Sequence, residues 1–166
     1  MFPDSRGWFV ETFHAERYAE ITGVLVQDNL SSSLRGVLRG LHYQLRQPQG
    51  KLVQVMVGDV FDVAVDLRPG SRTFAQWYGT RLSAEDQRQM WVPPGFAHGF
   101  YALSETAVVS YKCSTLFRAD DQHAIRWDDP ELGIAWPLDG APVLSTKDAE
   151  APAMRNAQLP ESVTPR

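Results

Sequence analysis

The sequence predicts an all-β sandwich or barrel with one or two short helices. Three observations predict it: several short runs in which apolar and polar side chains alternate, Gly- and Pro-bearing turn clusters between them, and helical patterning confined to two brief stretches. The clearest alternation is KLVQVMV at 51–57, with Lys51, Val53, Val55 and Val57 on one face and Leu52, Gln54 and Met56 on the other. VFDVAVDL at 60–67 repeats it, opposing Phe61, Val63 and Val65 to Val60, Asp62, Ala64 and Asp66. The Gly58-Asp59 turn between these runs predicts that they pair as a hairpin. Further strands are expected at 25–30, 36–44, 76–82, 89–92, 97–103 and 107–114, separated by Arg68-Pro69-Gly70-Ser71, Pro93-Pro94-Gly95 and Asp128-Asp129-Pro130. Helix is expected at 14–21 and at 83–88, where Ser83 fits an N-cap with Asp86 three positions on. After Trp136 the alternation lapses. The reading is therefore one β domain over 1–148, followed by a partly ordered tail over 149–166 that carries Pro152, Pro160 and Pro165.

Composition narrows the classes. The chain has 166 residues, within the ~100–200 of one domain, and its 43% hydrophobic and 22% charged residues suit a folded domain. No apolar run approaches the ~18–20 residues of a membrane helix, so no membrane partner is expected. The opening Met-Phe-Pro-Asp-Ser-Arg has neither the basic nor the apolar stretch of a secretory signal. The single cysteine, Cys113, forms no internal disulfide, which points to a cytoplasmic location. A net charge of −4 argues against a nucleic-acid partner.

Four histidines are available for chemistry. His14 beside Glu11 and Glu16, and His123 after Asp120-Asp121-Gln122, read as surface residues. His42 lies in the strand-like RGVLRGLHYQ and His98 follows the turn PPGFAH, and each is open to a buried structural role or a chemical one. A mononuclear β-barrel metal site usually takes two histidines spaced two apart plus further ligands. Here Gln44 stands two after His42, and no His-x-His occurs; a metal would need His42, His98 and a carboxylate such as Asp62 or Asp66. Use of His42 as a base without metal is the stronger reading. Imidazole titrates near neutrality, and such a base needs an orienting carboxylate, a cation for developing negative charge and a second acid. Lys51, Arg39, Tyr111 and several aspartates could serve. Arg39 and His42 have opposite parity in an ideal strand, so they share a site only if Gly40 marks a bulge.

RGWFVETF at 6–13, QDNLSSS at 27–33, GVLRGLHYQ at 36–44, QGKLVQVMVGDVFDVAVDLRPGSRTF at 49–74 and LSAEDQRQMWVPPGFAHGF at 82–100 carry a resemblance, joined by SYK, DDPELGIAWP and LSTKD further on. In order and spacing, from about residue 6 to 148, they resemble the dTDP-4-dehydrorhamnose 3,5-epimerase family. The resemblance implies a cupin-type jelly roll, a homodimer, no metal and no cofactor, and a dTDP-4-keto-6-deoxyglucose type of nucleotide-sugar substrate. It implies His42 as the base, Asp148 as its dyad partner, Lys51 as stabiliser of the enolate and Tyr111 as the acid on the opposite face. It also implies substrate contacts from Arg6, Glu11, Gln27, Asp28, Asn29, Arg39, His98, Phe117 and Gln122, with N-terminal contacts reaching a neighbouring subunit.

Three departures from the family pattern stand out. Arg6 lies much closer to the start than its motif usually does, which implies a truncated or missing opening strand. Phe117 replaces a tyrosine that commonly stacks on thymine, and Gln122 falls near a position often held by glutamate. The leading expectation is epimerisation at carbons 3 and 5. Alternatives are epimerisation at a single carbon in an antibiotic deoxysugar pathway, a metal-dependent cupin enzyme, and a non-catalytic sugar-nucleotide binding module.

Overall fold

The computed structural model describes residues 1–161. The last five positions of the tail expected at 149–166 lie outside the described residues. The chain opens with a small hairpin of β1 (Phe2–Asp4) and β2 (Gly7–Phe9), followed by helix α1 (Ala15–Thr22). Nine strands follow: β3 (Gln27–Leu34), β4 (Leu38–Gln44), β5 (Lys51–Val57), β6 (Asp59–Asp66), β7 (Trp77–Ser83), β8 (Gln89–Val92), β9 (Phe96–Ala102), β10 (Thr106–Cys113) and β11 (Gln122–Ala124). A second short helix, α2, spans Thr146–Ala149. Antiparallel pairing builds a four-stranded sheet, β3-β10-β5-β8, and a five-stranded sheet, β11-β4-β9-β6-β7.

Alternation decides which side chains meet between the layers. Val53 and Val55 of β5, Val60 and Ala64 of β6, and Val109 of β10 join Leu82, Met90, Val92, Phe100 and Ala102 in one buried cluster. The opposite faces of β4, β6 and β9 send Leu41, Tyr43, Val63, Val65 and Ala97 to the far side of the five-stranded sheet. There Ile125, Leu132 and Met154 cover them, with Ile134, Trp136 and Leu159 packed alongside. The chain after Trp136 is thus fastened to the domain, although it lacks periodicity. Met154 N–H donates to Asp129 Oδ2 (2.6 Å), Arg126 N–H to Pro152 O (2.9 Å) and the Tyr43 hydroxyl to Gln158 O (2.6 Å).

The structure corrects two expectations. Residues 51–57 and 60–67 do not pair as a hairpin: β5 lies between β10 and β8, while β6 lies between β9 and β7 in the other sheet. Gly58 and Asp59 carry the chain across the sandwich, so the inward faces of β5 and β6 meet from opposite walls. Gly58 has a φ of +72°, and a Cβ there would lie 2.1 Å from Ser104 Oγ and 2.2 Å from Thr106 O. Residues 83–88 form a turn instead of a helix. Ser83 Oγ does accept the Glu85 N–H (3.0 Å), but Gln87 at φ +55° leaves the helical region and β8 begins at Gln89.

Candidate active site

Between β3, β10 and β5 on one wall and β11, β4 and β9 on the other lies a cavity of about 370 Å³. His42, Lys51, His98, Tyr111, Arg39, Asn29, Phe117 and Gln122 all line it. Ser31, Gln44, Gln49 and Phe100, which the sequence reading did not single out, line it too.

A bulge brings Arg39 and His42 together. On β4, Arg39 pairs with Phe100 and His42 with His98, so three steps on β4 match two on β9 and the register shifts between them. One extra residue reverses parity, and both side chains reach the same cavity. Gly40 makes this possible: at φ +132°, its added Cβ would stand 2.6 Å from the Gly99 Cα. The expected bulge is there.

Behind His42 stands Asp148. Ser145 caps α2 by accepting the Asp148 N–H (3.1 Å), which sets this buried carboxylate against the ring, with Oδ1 2.5 Å from His42 Nε2. Burial alone would push the Asp148 carboxyl up. Bonds from His42, Ser145 and the Gly40 backbone outweigh it and hold the carboxyl below the usual value, so Asp148 is ionised. An ionised carboxylate only accepts, so Nε2 of a neutral His42 carries the proton and Nδ1 is the basic nitrogen.

A second buried pair lies beside the first: His98 Nε2 meets Asp62 Oδ1 at 2.8 Å. The alternation at 60–66 signals Asp62, a carboxylate on the same face as Val60 and Ala64, and its bond to His98 gives it a use other than metal ligation. Burial lowers the Lys51 ammonium from its ordinary value, while attraction to Cys113 and Asp62 pulls it back. Burial likewise raises the Tyr111 phenol, so it keeps its proton at neutral pH.

Polar residues organise the rim. Arg39 donates to Ser33 Oγ (3.0 Å) and Ser32 O (3.1 Å). Gln27 donates to Asn29 Oδ1 (2.9 Å) and accepts the Phe117 backbone N–H (2.7 Å), which ties the exposed Phe117 to β3. Lys147 Nζ donates to Gln122 Oε1 (2.6 Å).

Four expected substrate contacts do not line this cavity within the chain: Gln27, whose amide is spent on Asn29 and Phe117, and Asp28, Arg6 and Glu11. Asp28 lies on the outward face of β3, where Lys112 pairs with it at 2.9 Å, because strand parity opposes it to Gln27 and Asn29. Arg6 sits in the exposed turn of the first hairpin against Asp4, and Glu11 pairs with Arg17. Among the described residues, no group of three or more His, Cys, Asp or Glu side chains is placed to hold a metal ion. Among them too, no helix is long and apolar enough to cross a membrane.

Residues 1–156 match the family described as dTDP-4-dehydrorhamnose 3,5-epimerase. A dTDP-4-dehydrorhamnose 3,5-epimerase of Pseudomonas aeruginosa is 55% identical over 160 residues, covering 95% of this chain and 88% of that protein. The crystal structure of a dTDP-6-deoxy-D-glucose-3,5-epimerase from Legionella pneumophila Philadelphia 1, in complex with dTDP-4-keto-L-rhamnose, is 50% identical. It superposes with a TM-score of 0.94 over 98% of this chain and 90% of its own. A dTDP-4-dehydrorhamnose 3-epimerase of Streptomyces niveus is 42% identical over 93% of this chain and 76% of that protein.

Proposed function

The chain belongs to the dTDP-4-dehydrorhamnose 3,5-epimerase family, and on that premise we propose that it inverts carbons 3 and 5 of a dTDP-4-keto-6-deoxyhexose. The observation that carries the mechanism is the placement of His42 and Tyr111 on opposite walls of one cavity. Inversion removes a proton from one face of a carbon and returns one to the other, so it needs two groups that face each other across the sugar.

His42 is the base. Asp148 orients its ring and stabilises the imidazolium that forms when Nδ1 takes a proton from a carbon beside the ketone. The electron pair moves onto the ketone oxygen, where Lys51 meets the enolate charge from a partly desolvated site. Tyr111, its phenol held protonated by burial, then returns a proton from the far face. Arg39 suits the diphosphate, because a guanidinium fork makes paired bonds to phosphate oxygens. Phe117 offers a stacking face for the base, Asn29, His98 and Gln122 complete the contacts, and Gln27 holds Asn29 and Phe117 in place.

The protein acts as a homodimer in the cytoplasm. Leu30, Leu34 and Met56 leave an apolar row on the outer side of the four-stranded sheet, and Phe2, Trp8 and Phe9 are as open on the first hairpin. Pairing two copies through these surfaces covers them, and Arg6 and Glu11 of one copy would then serve the site of its neighbour. The substrate incubated in deuterium oxide with the enzyme gives the test. Two sites of solvent-derived deuterium support double epimerisation, one supports action at a single carbon, and none overturns the reading.

A further inference from the structure

Asp62 is fully buried in the sandwich interior, and its Oδ1 is engaged by His98 Nε2 at 2.8 Å. Its other oxygen, Oδ2, is buried and finds no hydrogen-bond partner among the described residues. A closed carboxylate with an idle oxygen is costly unless a nearby cation compensates it. Lys51 lines the same cavity as His98, and among the described residues it forms no ion pair. The titratable and charged groups around Lys51 are Cys113 and Tyr111 on β10, Asp62 on β6, His98 on β9, and His42 and Arg39 on β4, with Asp148 behind His42. Burial lowers the Lys51 ammonium, and Cys113 and then Asp62 draw it back up.

We propose that Asp62 is a positioning residue for the epimerisation: through Oδ1 it orients the His98 ring, and through Oδ2 it supplies the counter-charge of Lys51. One carboxylate thereby sets two neighbouring groups on the cavity wall without touching the sugar. This rests on the reading that Lys51 meets the enolate oxygen. It also explains why a carboxylate interrupts an otherwise apolar face between Val60 and Ala64.

Asp62→Asn keeps the shape, and its amide oxygen can still accept from His98, but the charge is gone. Side-chain nitrogen NMR of labelled lysine reads Lys51 directly, with no need of substrate. The expected result is a Lys51 titration about one pH unit lower in Asp62→Asn than in the unsubstituted protein. With dTDP-4-keto-6-deoxyglucose, kcat falls about tenfold or more while KM changes little, and the alkaline limb of kcat moves toward acid in step with Lys51. An unchanged Lys51 titration overturns the charge assignment. A kcat that falls only with the folded fraction, with the alkaline limb unmoved, overturns the positioning role. Should Asp62→Asn fail to fold, the double variant Asp62→Asn/Lys51→Met decides, since removing both charges together restores folding if they compensate each other; a double variant as unfolded as the single one refutes it. Absence of activity in the unsubstituted protein would instead refute the functional reading, and the Lys51 titration would still judge Asp62.

Discussion

Val53, Val55, Val60, Leu82, Met90, Val92 and Val109 fill one half of the sandwich interior with side chains that water barely reaches. Two residues further along the same faces of the same strands, the interior changes character. Val53 gives way to Lys51 on β5, Val109 to Tyr111 on β10 and Phe100 to His98 on β9, and the space opens into the cavity. The backbone is continuous through both halves. In the closed half, each large apolar side chain contributes roughly 1.5–3 kcal/mol by leaving water. The open half instead holds a desolvated ammonium, two buried carboxylates and a hydroxyl, Ser31 Oγ, that finds no partner among the described residues. Such groups cost stability, and the closed half offsets that cost. The division assigns folding to one set of residues and chemistry to the other, and each can be disturbed separately.

The sharpest separation is expected at His42. Truncation to alanine removes the base but leaves the packed cluster untouched, so exchange at both carbons should fall about 10²–10⁴-fold. Thermal unfolding should stay close to that of the unsubstituted protein. A large loss of Tm with only a modest loss of exchange would dissolve the division. Leu82→Ala is the mirror experiment. Leu82 is 1% exposed within the closed cluster, and its truncation should cost about 2–5 kcal/mol in urea unfolding. Its kcat per folded molecule should be unchanged.

Gly40 lies at the boundary between backbone and site and should answer to both measurements. A Cβ there meets the Gly99 backbone, and a φ of +132° disfavours any side chain, so Gly40→Ala should cost about 1–3 kcal/mol. The same shift should misplace Arg39 against His42 and reduce kcat per folded molecule as well. A loss of stability alone would mean that the register shift does not aim these two side chains.

Alternation made the strands legible, and β5 and β8 lie where the pattern predicts them. It could not tell which strands pair. A hairpin and a crossing to the opposite sheet both turn every second residue inward, and only long-range packing chooses between them for β5 and β6. The β1–β2 hairpin, β11 and α2 escaped because three or four residues are too few to show a period. The segment over the outer face of the five-stranded sheet hid for another reason: Ile134, Trp136, Met154 and Leu159 anchor it singly, at irregular intervals. In the site, the parity conflict between Arg39 and His42 correctly demanded a bulge at Gly40. Asp148 is 106 residues from His42, and only family resemblance linked them; spacing along a chain does not report what folds back. Asp62 was visible as a charge on an apolar face, but its bond to His98 depends on the register of β6 with β9.

The smallest effect contrasts a carboxylate that holds a loop with one that orients a base. Asp66 is fully buried and accepts from the Arg68 guanidinium and backbone and from the hydroxyls of Ser71 and Thr73. Burial opposes ionisation there, but these bonds hold the carboxyl far below its usual 3.8. Asp148 is lowered too, with fewer partners. A carboxyl whose value is depressed by folding adds stability above its unfolded value, and that contribution fades as pH falls toward the folded one. Asp66→Asn should therefore lower Tm by a few degrees at pH 7, and by more than Asp148→Asn does. Both differences from the unsubstituted protein should shrink as pH drops below 3.8, the Asp148 difference closing first because its value is less depressed. If Asp148→Asn proved the more destabilising at pH 7, the dyad carboxylate would be carrying the fold as well as the base. The open half would then be less independent of stability than its packing indicates.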